Sequence, residues 1–167
     1  MIPIRNYRLE EQGGLFFVIT MEVSYCPICQ EIVFSRGTRR RILYNSEDDD
    51  KLILIIRRLY CEKCKRVHHE LPDCIVPYKR YSAKVIENII ENPTEPAPCP
   101  SGTVRRIRSW WAAVVPYFLC ILQTLTQRLN VSFGKPPAFK EIVRAAASSS
   151  NWIFAHQLCT RSASRPE

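Results

Sequence analysis

Two cysteine knuckles, CPIC at 26–29 and CEKC at 61–64, enclose the stretch RRRILYNSEDDDKLILIIRRLYC at 39–61. A C-x-x-C turn brings both of its sulfurs to one side, so a pair of knuckles can present four thiolates to a single tetrahedral ion. Thirty-one residues lie between Cys29 and Cys61, counted as 30 to 60, against roughly 15–20 in the short zinc pattern. The enclosed stretch accounts for the excess. Its two apolar, β-branched runs flank a polar turn at 45–50, the sequence form of an antiparallel hairpin. The expected site is Cys26, Cys29, Cys61 and Cys64 at the ends of that hairpin, holding a structural Zn2+. A closed shell of four thiolates leaves no open coordination position, so such an ion holds a fold rather than activating water.

Other readings of these residues are weaker. A redox dithiol of the thioredoxin kind belongs in a βαβ setting, which the pattern lacks. His68, His69 and Cys74 follow the second knuckle closely, but four thiolates already complete a shell, and the two histidines read as neighbours of the site. Cys99, Cys120 and Cys159 are isolated, with Cys120 read as a small core residue inside the apolar run at 112–122. The acidic turn at 47–50 lacks the spaced carboxylates, central glycine and distal glutamate of a calcium loop.

Charge directs attention to a polyanionic partner. The 167 residues carry 24 Lys plus Arg against 16 Asp plus Glu, a net charge of +8. Residues 93–167 hold nine basic and three acidic side chains, giving +6 for that part alone. Such an excess favours nucleic acid over a membrane surface. The opening MIPIRNYRLEEQGG has acidic residues where an export signal needs an apolar core, so a cytoplasmic protein is expected. The run at 112–122 contains a proline and falls short of the roughly 20 residues of a spanning helix. It reads as buried core.

Along the chain, residues 1–25 read as a β-prone lead-in and 65–81 as an extended connector interrupted by Pro72 and Pro77. A short helix follows at 82–91, capped by Ser82, with Val85, Ile86, Ile89 and Ile90 as its apolar stripe. The proline-rich PTEPAPCP at 93–100 stops it. A second helix over 101–115, capped by Ser101 or Thr103, places Val104, Ile107, Trp111, Val114 and Val115 on one face and Arg105, Arg106 and Arg108 off it. Pro116 is expected to end or kink that helix before a third at 117–130, with a turn at 133–139, a short helix at 139–150 and an aperiodic close at 151–167.

Three stretches carry a resemblance: CPIC at 26–29, RLYCEKCKRVHHELPDCIVPYKRYSAKVIENII at 58–90, and SGTVRRIRSWW at 101–111. Together with the ending NWIFAHQLCTRSASRPE, the chain resembles bacterial mobile-element proteins of the transposase-associated kind, a family of unknown function. The resemblance is to the zinc-binding head of insertion-sequence transposases, a zinc ribbon preceding a helix-turn-helix-like region. It implies an α+β fold in which an N-terminal zinc-ribbon β-hairpin module at 1–75 precedes a small helical, helix-turn-helix-like bundle at 76–167. It implies double-stranded DNA as partner, and a transposase, a recombinase or a second copy of the chain as further partners. Full transposases of that kind carry a catalytic domain with three separated carboxylates. Residues 93–167 offer only Glu95, Glu141 and Glu167, so no enzyme is expected.

On this reading Thr103, Arg105, Arg106 and Arg108 face the DNA major groove while Lys79, Arg80 and Lys84 hold the phosphate backbone. The alternatives are an RNA-binding zinc ribbon, which needs exposed aromatics for stacking, and a protein-interaction or oligomerisation module docking through 110–122. The place of Trp111 on the apolar stripe argues against the first.

Overall fold

The computed structural model describes residues 1–45, 51–129 and 138–148. The chain divides into two units, Met1–Val85 and Ile86–Glu167.

The first unit is a six-stranded sheet made of β1 (Ile2–Ile4), β2 (Tyr7–Gln12), β3 (Leu15–Thr20), β4 (Phe34–Tyr44), β5 (Lys51–Cys61) and β6 (Arg66–Pro72). β5 is its axis. One edge of β5 pairs antiparallel with β4, from Tyr44 opposite Lys51 to Phe34 opposite Tyr60. The other edge is shared between two strands. Leu54 and Ile55 pair in parallel with Phe16 and Phe17 of β3, and residues 58–61 pair antiparallel with β6. Burial follows the same division: Leu54 and Ile56 are buried in one half of β5, Leu59 and Cys61 in the other. Alternate residues of a strand point to opposite faces, so β5 changes the face it buries halfway along, and the sheet curls. Each such aliphatic side chain contributes about 1.5–3 kcal/mol on burial.

Local chemistry fixes the remaining strands. Gly13 and Gly14, at φ 59° and 76°, make a two-residue turn that sets Gln12 opposite Leu15 in the β2–β3 hairpin. In β4 the register shifts between Ser35 and Thr38, with Gly37 at φ 94°. That bulge needs a residue without Cβ. β1 closes the sheet by pairing in parallel with β6, Ile2 opposite Glu70. After β6 the chain runs back along the end of β4, where the Tyr44 N–H donates to the Arg80 carbonyl at 2.8 Å and the Ser82 N–H to the Tyr44 carbonyl at 3.1 Å. Helix α1 (Ala83–Glu91) starts there, its Ser82 hydroxyl accepting from the Val85 N–H at 3.3 Å.

The second unit holds α2 (Ser101–Leu129) and α3 (Phe139–Ser148). Val114, Phe118, Ile142 and Val143 are buried, and the Trp111 ring lies 4.9 Å from Phe139 and 6.4 Å from Phe118. The Ala138 N–H donates to the Glu141 carboxylate at 3.1 Å, closing the first turn of α3.

This architecture corrects the expected zinc-ribbon hairpin followed by a helix-turn-helix-like bundle. The β4–β5 hairpin exists, but it is the middle of a larger sheet. Residues 1–25 supply three strands rather than a lead-in, and the expected connector at 65–81 contains β6. The two helices expected on either side of Pro116 are one helix of 29 residues. Proline there removes a single hydrogen bond, to the carbonyl of Ala112, and Ala112 is exposed, so water can serve that group. The run at 112–122 is not core throughout: Ala112, Ala113, Pro116, Leu119 and Cys120 are exposed. The turn expected at 45–50 lies outside the described residues but for Asn45, that at 133–139 but for Ala138 and Phe139, and the segment 151–167 with Cys159 entirely.

Candidate metal centre and basic face

Two turns of similar build carry the four cysteines. The first closes a short ladder in which Tyr25 lies opposite Ile32 and the Val33 N–H donates to the Ser24 carbonyl at 3.1 Å. Within it the Gln30 N–H donates to the Cys26 carbonyl at 2.9 Å and the Cys26 N–H to the Glu31 carbonyl at 2.8 Å. The second knuckle is the β5–β6 turn, with Cys61 opposite Arg66. In both, the residue after the second cysteine is left-handed: Gln30 at φ 61° and Lys65 at φ 55°.

The four Sγ atoms of Cys26, Cys29, Cys61 and Cys64 lie within 4.8 Å of one another. Across the knuckles, Cys26 and Cys64 are 3.9 Å apart and Cys29 and Cys61 3.5 Å. A tetrahedron with metal–sulfur bonds of about 2.3 Å places its sulfurs about 3.8 Å apart, so the cluster fits one ion. The thiols are free, with no disulfide among them. Ile2, Val33 and Leu59 pack with Cys26 and Cys61 into a buried cluster, against which Cys29 and Cys64 lie.

The thiols are shifted in opposite directions: Cys29 is lowered, whereas Cys64 is raised and Cys61 is raised too, burial and the neighbouring thiols outweighing the Cys64 N–H. The Glu31 N–H lowers the Cys29 thiol to about 7, and the Cys64 N–H donates to the Cys61 sulfur at 3.4 Å. The shared proton between Cys29 and Cys64, with burial, pushes Cys64 up to about 12. His68, buried on β6, sets its Nε2 3.4 Å from the Cys26 sulfur. Burial holds its imidazole below the ordinary value, and the ring's tautomer decides which of the two atoms donates. His68 therefore touches one cysteine of the cluster without being part of it, and neither His69 nor Cys74 joins the four sulfurs. Beside it, Arg57 donates through Nε and Nη2 to both oxygens of the fully buried Glu70, whose Oε1 also accepts from the Ser24 hydroxyl at 3.5 Å.

The opposite face of the same strands is basic. The register sets Arg39 of β4 opposite Ile56 and Arg41 opposite Leu54, while Arg58 of β5 lies opposite His69 of β6. These side chains alternate onto one face. A cavity of about 190 Å³ there is lined by Arg39, Arg41, Ile56, His69 and Tyr78, together with Glu70, whose carboxylate is paired with Arg57. Burial, and then the neighbouring Arg39 charge, hold the Arg41 guanidinium below its ordinary value. Burial, and then the charges of Arg39, Arg58 and Arg41, depress His69. Among the described residues no carboxylate forms an ion pair with Arg39, Arg40, Arg41 or Arg58. A second cleft, of about 410 Å³, opens at the β4 edge between Arg40, Arg41, Tyr44, Tyr78, Lys79 and Arg80.

The residues expected to bind DNA divide between the units. Lys79 and Arg80 stand beside Arg40 and Arg41, and Lys84 is exposed on α1. On α2, Arg105 and Arg106 are exposed. The Arg106 guanidinium donates to the Thr103 hydroxyl at 3.3 Å. Arg105 shares a cleft with Glu95. Arg108 donates to the Ile89 carbonyl at 3.2 Å and the Pro93 carbonyl at 2.8 Å, closing the C-terminal end of α1. Sequence reasoning missed Arg39, Arg41, Arg58 and His69 as a group. The run RRR at 39–41 was the visible signal; the register that joins it to Arg58 and His69 was not.

No helix among the described residues is long and apolar enough to cross a membrane. No curated protein and no solved structure matches the chain. Residues 26–107 match the family model described as a domain of unknown function, DUF6431. That match begins at the first thiol of the cluster and takes in both knuckles, the arginine face and Lys79 and Arg80, so the four-cysteine cluster and the basic face both lie within the matched segment.

Proposed function

We propose that this chain is a zinc-stabilised DNA-binding protein without catalytic activity of its own, whose contact surface is the arginine face of the sheet. The observation that carries the reading is the gathering of Arg39 and Arg41 with His69 around one cavity, with Arg58 opposite His69 in the ladder, while the carboxylate in the cavity's lining, Glu70, is already paired with Arg57. Cations held together at such a cost in mutual repulsion gain from a phosphate arriving between them. Lys79 and Arg80 extend the same positive edge. Zinc is the ion that four thiolates select in tetrahedral geometry, and its closed shell is suited to holding β5, β6 and the first knuckle together.

Fluorescence anisotropy of zinc-loaded protein with labelled DNA at two salt concentrations tests the proposal. The Arg39→Ala/Arg41→Ala variant is expected to weaken binding at least tenfold and to flatten the salt dependence by about two phosphate contacts. Unchanged affinity in that variant, with metal content intact, sinks the reading.

A second reading draws on α2, where Ala112, Ala113, Pro116, Leu119 and Cys120 recur along one exposed side. A transposase or recombinase partner, or a second copy of the chain, docks there on this reading. A mass that rises with concentration and falls back in Leu119→Asp supports it; a monomer at all concentrations excludes self-association.

A further inference from the structure

Next to the arginines, the same face of the sheet carries a ledge of exposed rings and aliphatic side chains. Phe34 of β4 lies opposite Tyr60 of β5, which lies opposite Val67 of β6. Phe34 is 59% exposed and Val67 40%. Tyr25 and Ile32 face each other across the first knuckle's ladder, and both are about half exposed. One step along the strands comes the cationic row: Arg58 opposite His69, with Arg36 leaning back so that its guanidinium carbon sits 4.7 Å from the Tyr60 ring centre. Two residues of strand rise separate ring row from cationic row, about 7 Å.

From this juxtaposition we propose that the ledge is a stacking platform for unpaired nucleic-acid bases, and that the strand bound at the arginine face is single-stranded where it crosses Phe34 and Tyr60. This rests on the DNA-binding reading above and narrows its substrate. Bases inside a duplex have both faces covered by their neighbours and gain nothing from an apolar ledge. An unpaired base lays its flat face on Phe34 while its phosphate meets Arg58, Arg39 or Arg41. Arg36 belongs to both rows, because a planar guanidinium stacks on a ring and on a base alike. The charge beside the ledge selects a polyanion over an apolar protein partner, since docking an uncharged surface there would strip water from Arg36 and Arg58 without replacing it.

The experiment compares one oligonucleotide sequence as single-stranded DNA, single-stranded RNA and duplex DNA, each binding zinc-loaded full-length protein. The variants are Phe34→Ala, Phe34→Leu, Phe34→Trp and Arg39→Ala/Arg41→Ala. Single strands are expected to bind more tightly than duplex. Phe34→Ala and Phe34→Leu should weaken the single-strand complexes roughly tenfold or more, leave the duplex unchanged and abolish quenching of a 2-aminopurine placed in the strand, and Phe34→Trp should keep both affinity and quenching. DNA and RNA strands binding alike marks pure stacking, while a preference for one assigns the ledge to that sugar. If the Phe34 variants bind single strands normally while Arg39→Ala/Arg41→Ala weakens all three ligands, the platform is overturned and the DNA-binding face stands. If neither set changes binding, both fall. A dimer in solution that Phe34→Ala dissociates overturns the platform in favour of a second copy of the chain.

Discussion

Lys65 illustrates how much a single residue's backbone decides at this site. It follows Cys64 at φ 55°, as Gln30 follows Cys29 at φ 61°, and an L-residue in that region costs roughly 1–2 kcal/mol. Glycine, which enters it freely, is the residue such a turn would ordinarily use. Lys65→Gly is expected to leave the metal-loaded protein at least as stable, whereas the β-branched Lys65→Val should destabilise it by about 1–2 kcal/mol, read from thermal unfolding at constant metal content. His69 offers a second test at this scale. Burial first, then the charges of Arg39, Arg58, Arg41 and the Met1 amino group, hold it below the ordinary histidine value, so the folded protein keeps it neutral where the unfolded chain would protonate it. Its contribution to stability is therefore lost as pH falls below about 6.5. DNA affinity should move the other way, because a phosphate among those arginines favours the charged ring. Anisotropy titrations at pH 8 and pH 6 check this, with His69→Gln expected to remove the difference beyond what ionic strength explains.

At the scale of elements, the pair of Arg57 and Glu70 ties β5 to β6 directly across the ladder. Glu70 is fully buried and Arg57 one-third exposed. Removing one partner leaves the other uncompensated, so Arg57→Met is expected to destabilise by about 3 kcal/mol in denaturant unfolding. Arg57→Met/Glu70→Leu should recover most of that loss. A double variant no better than the single one would show that the pair supplies more than mutual neutralisation. What was legible in the sequence sorts by the range of the interactions involved. The knuckles, the β4–β5 hairpin and the Ser82 cap are local patterns, each written within a few residues of where it acts. The parallel pairing of β3 with β5 and of β1 with β6 joins residues far apart in sequence, and no periodicity announces it. The arginine face needed that pairing to become visible, since Arg39, Arg58 and His69 meet only once β4, β5 and β6 are in register. Pro116 misled for a different reason: a helix long enough, with the freed carbonyl at an exposed residue, absorbs one proline.

Across the whole molecule, the metal centre and the tryptophans fall on different sides of the division between the units, and this makes the role of the ion measurable. All four thiols belong to Met1–Val85, whereas Trp110, Trp111 and Trp152 belong to Ile86–Glu167. With Trp152 replaced by Phe, tryptophan emission therefore comes from α2, where Trp111 packs against Phe118 and Phe139. The sulfurs draw together the first knuckle and the β5–β6 turn over Ile2, Val33 and Leu59, so removing the ion leaves thiols that must share protons or separate inside an apolar cluster. A chelator titration is expected to lower strand content by circular dichroism and to abolish DNA binding over the same concentration range. Tryptophan emission should stay where it was, because Trp111 keeps Phe118 and Phe139 around it without help from the metal. Restoring zinc should restore binding, and Cys61→Ser should reproduce the chelated state. If binding survives complete metal removal, the arginine face holds its register through the β4–β5 ladder alone. If tryptophan emission shifts in step with the strands, the ion stabilises the chain as one cooperative body.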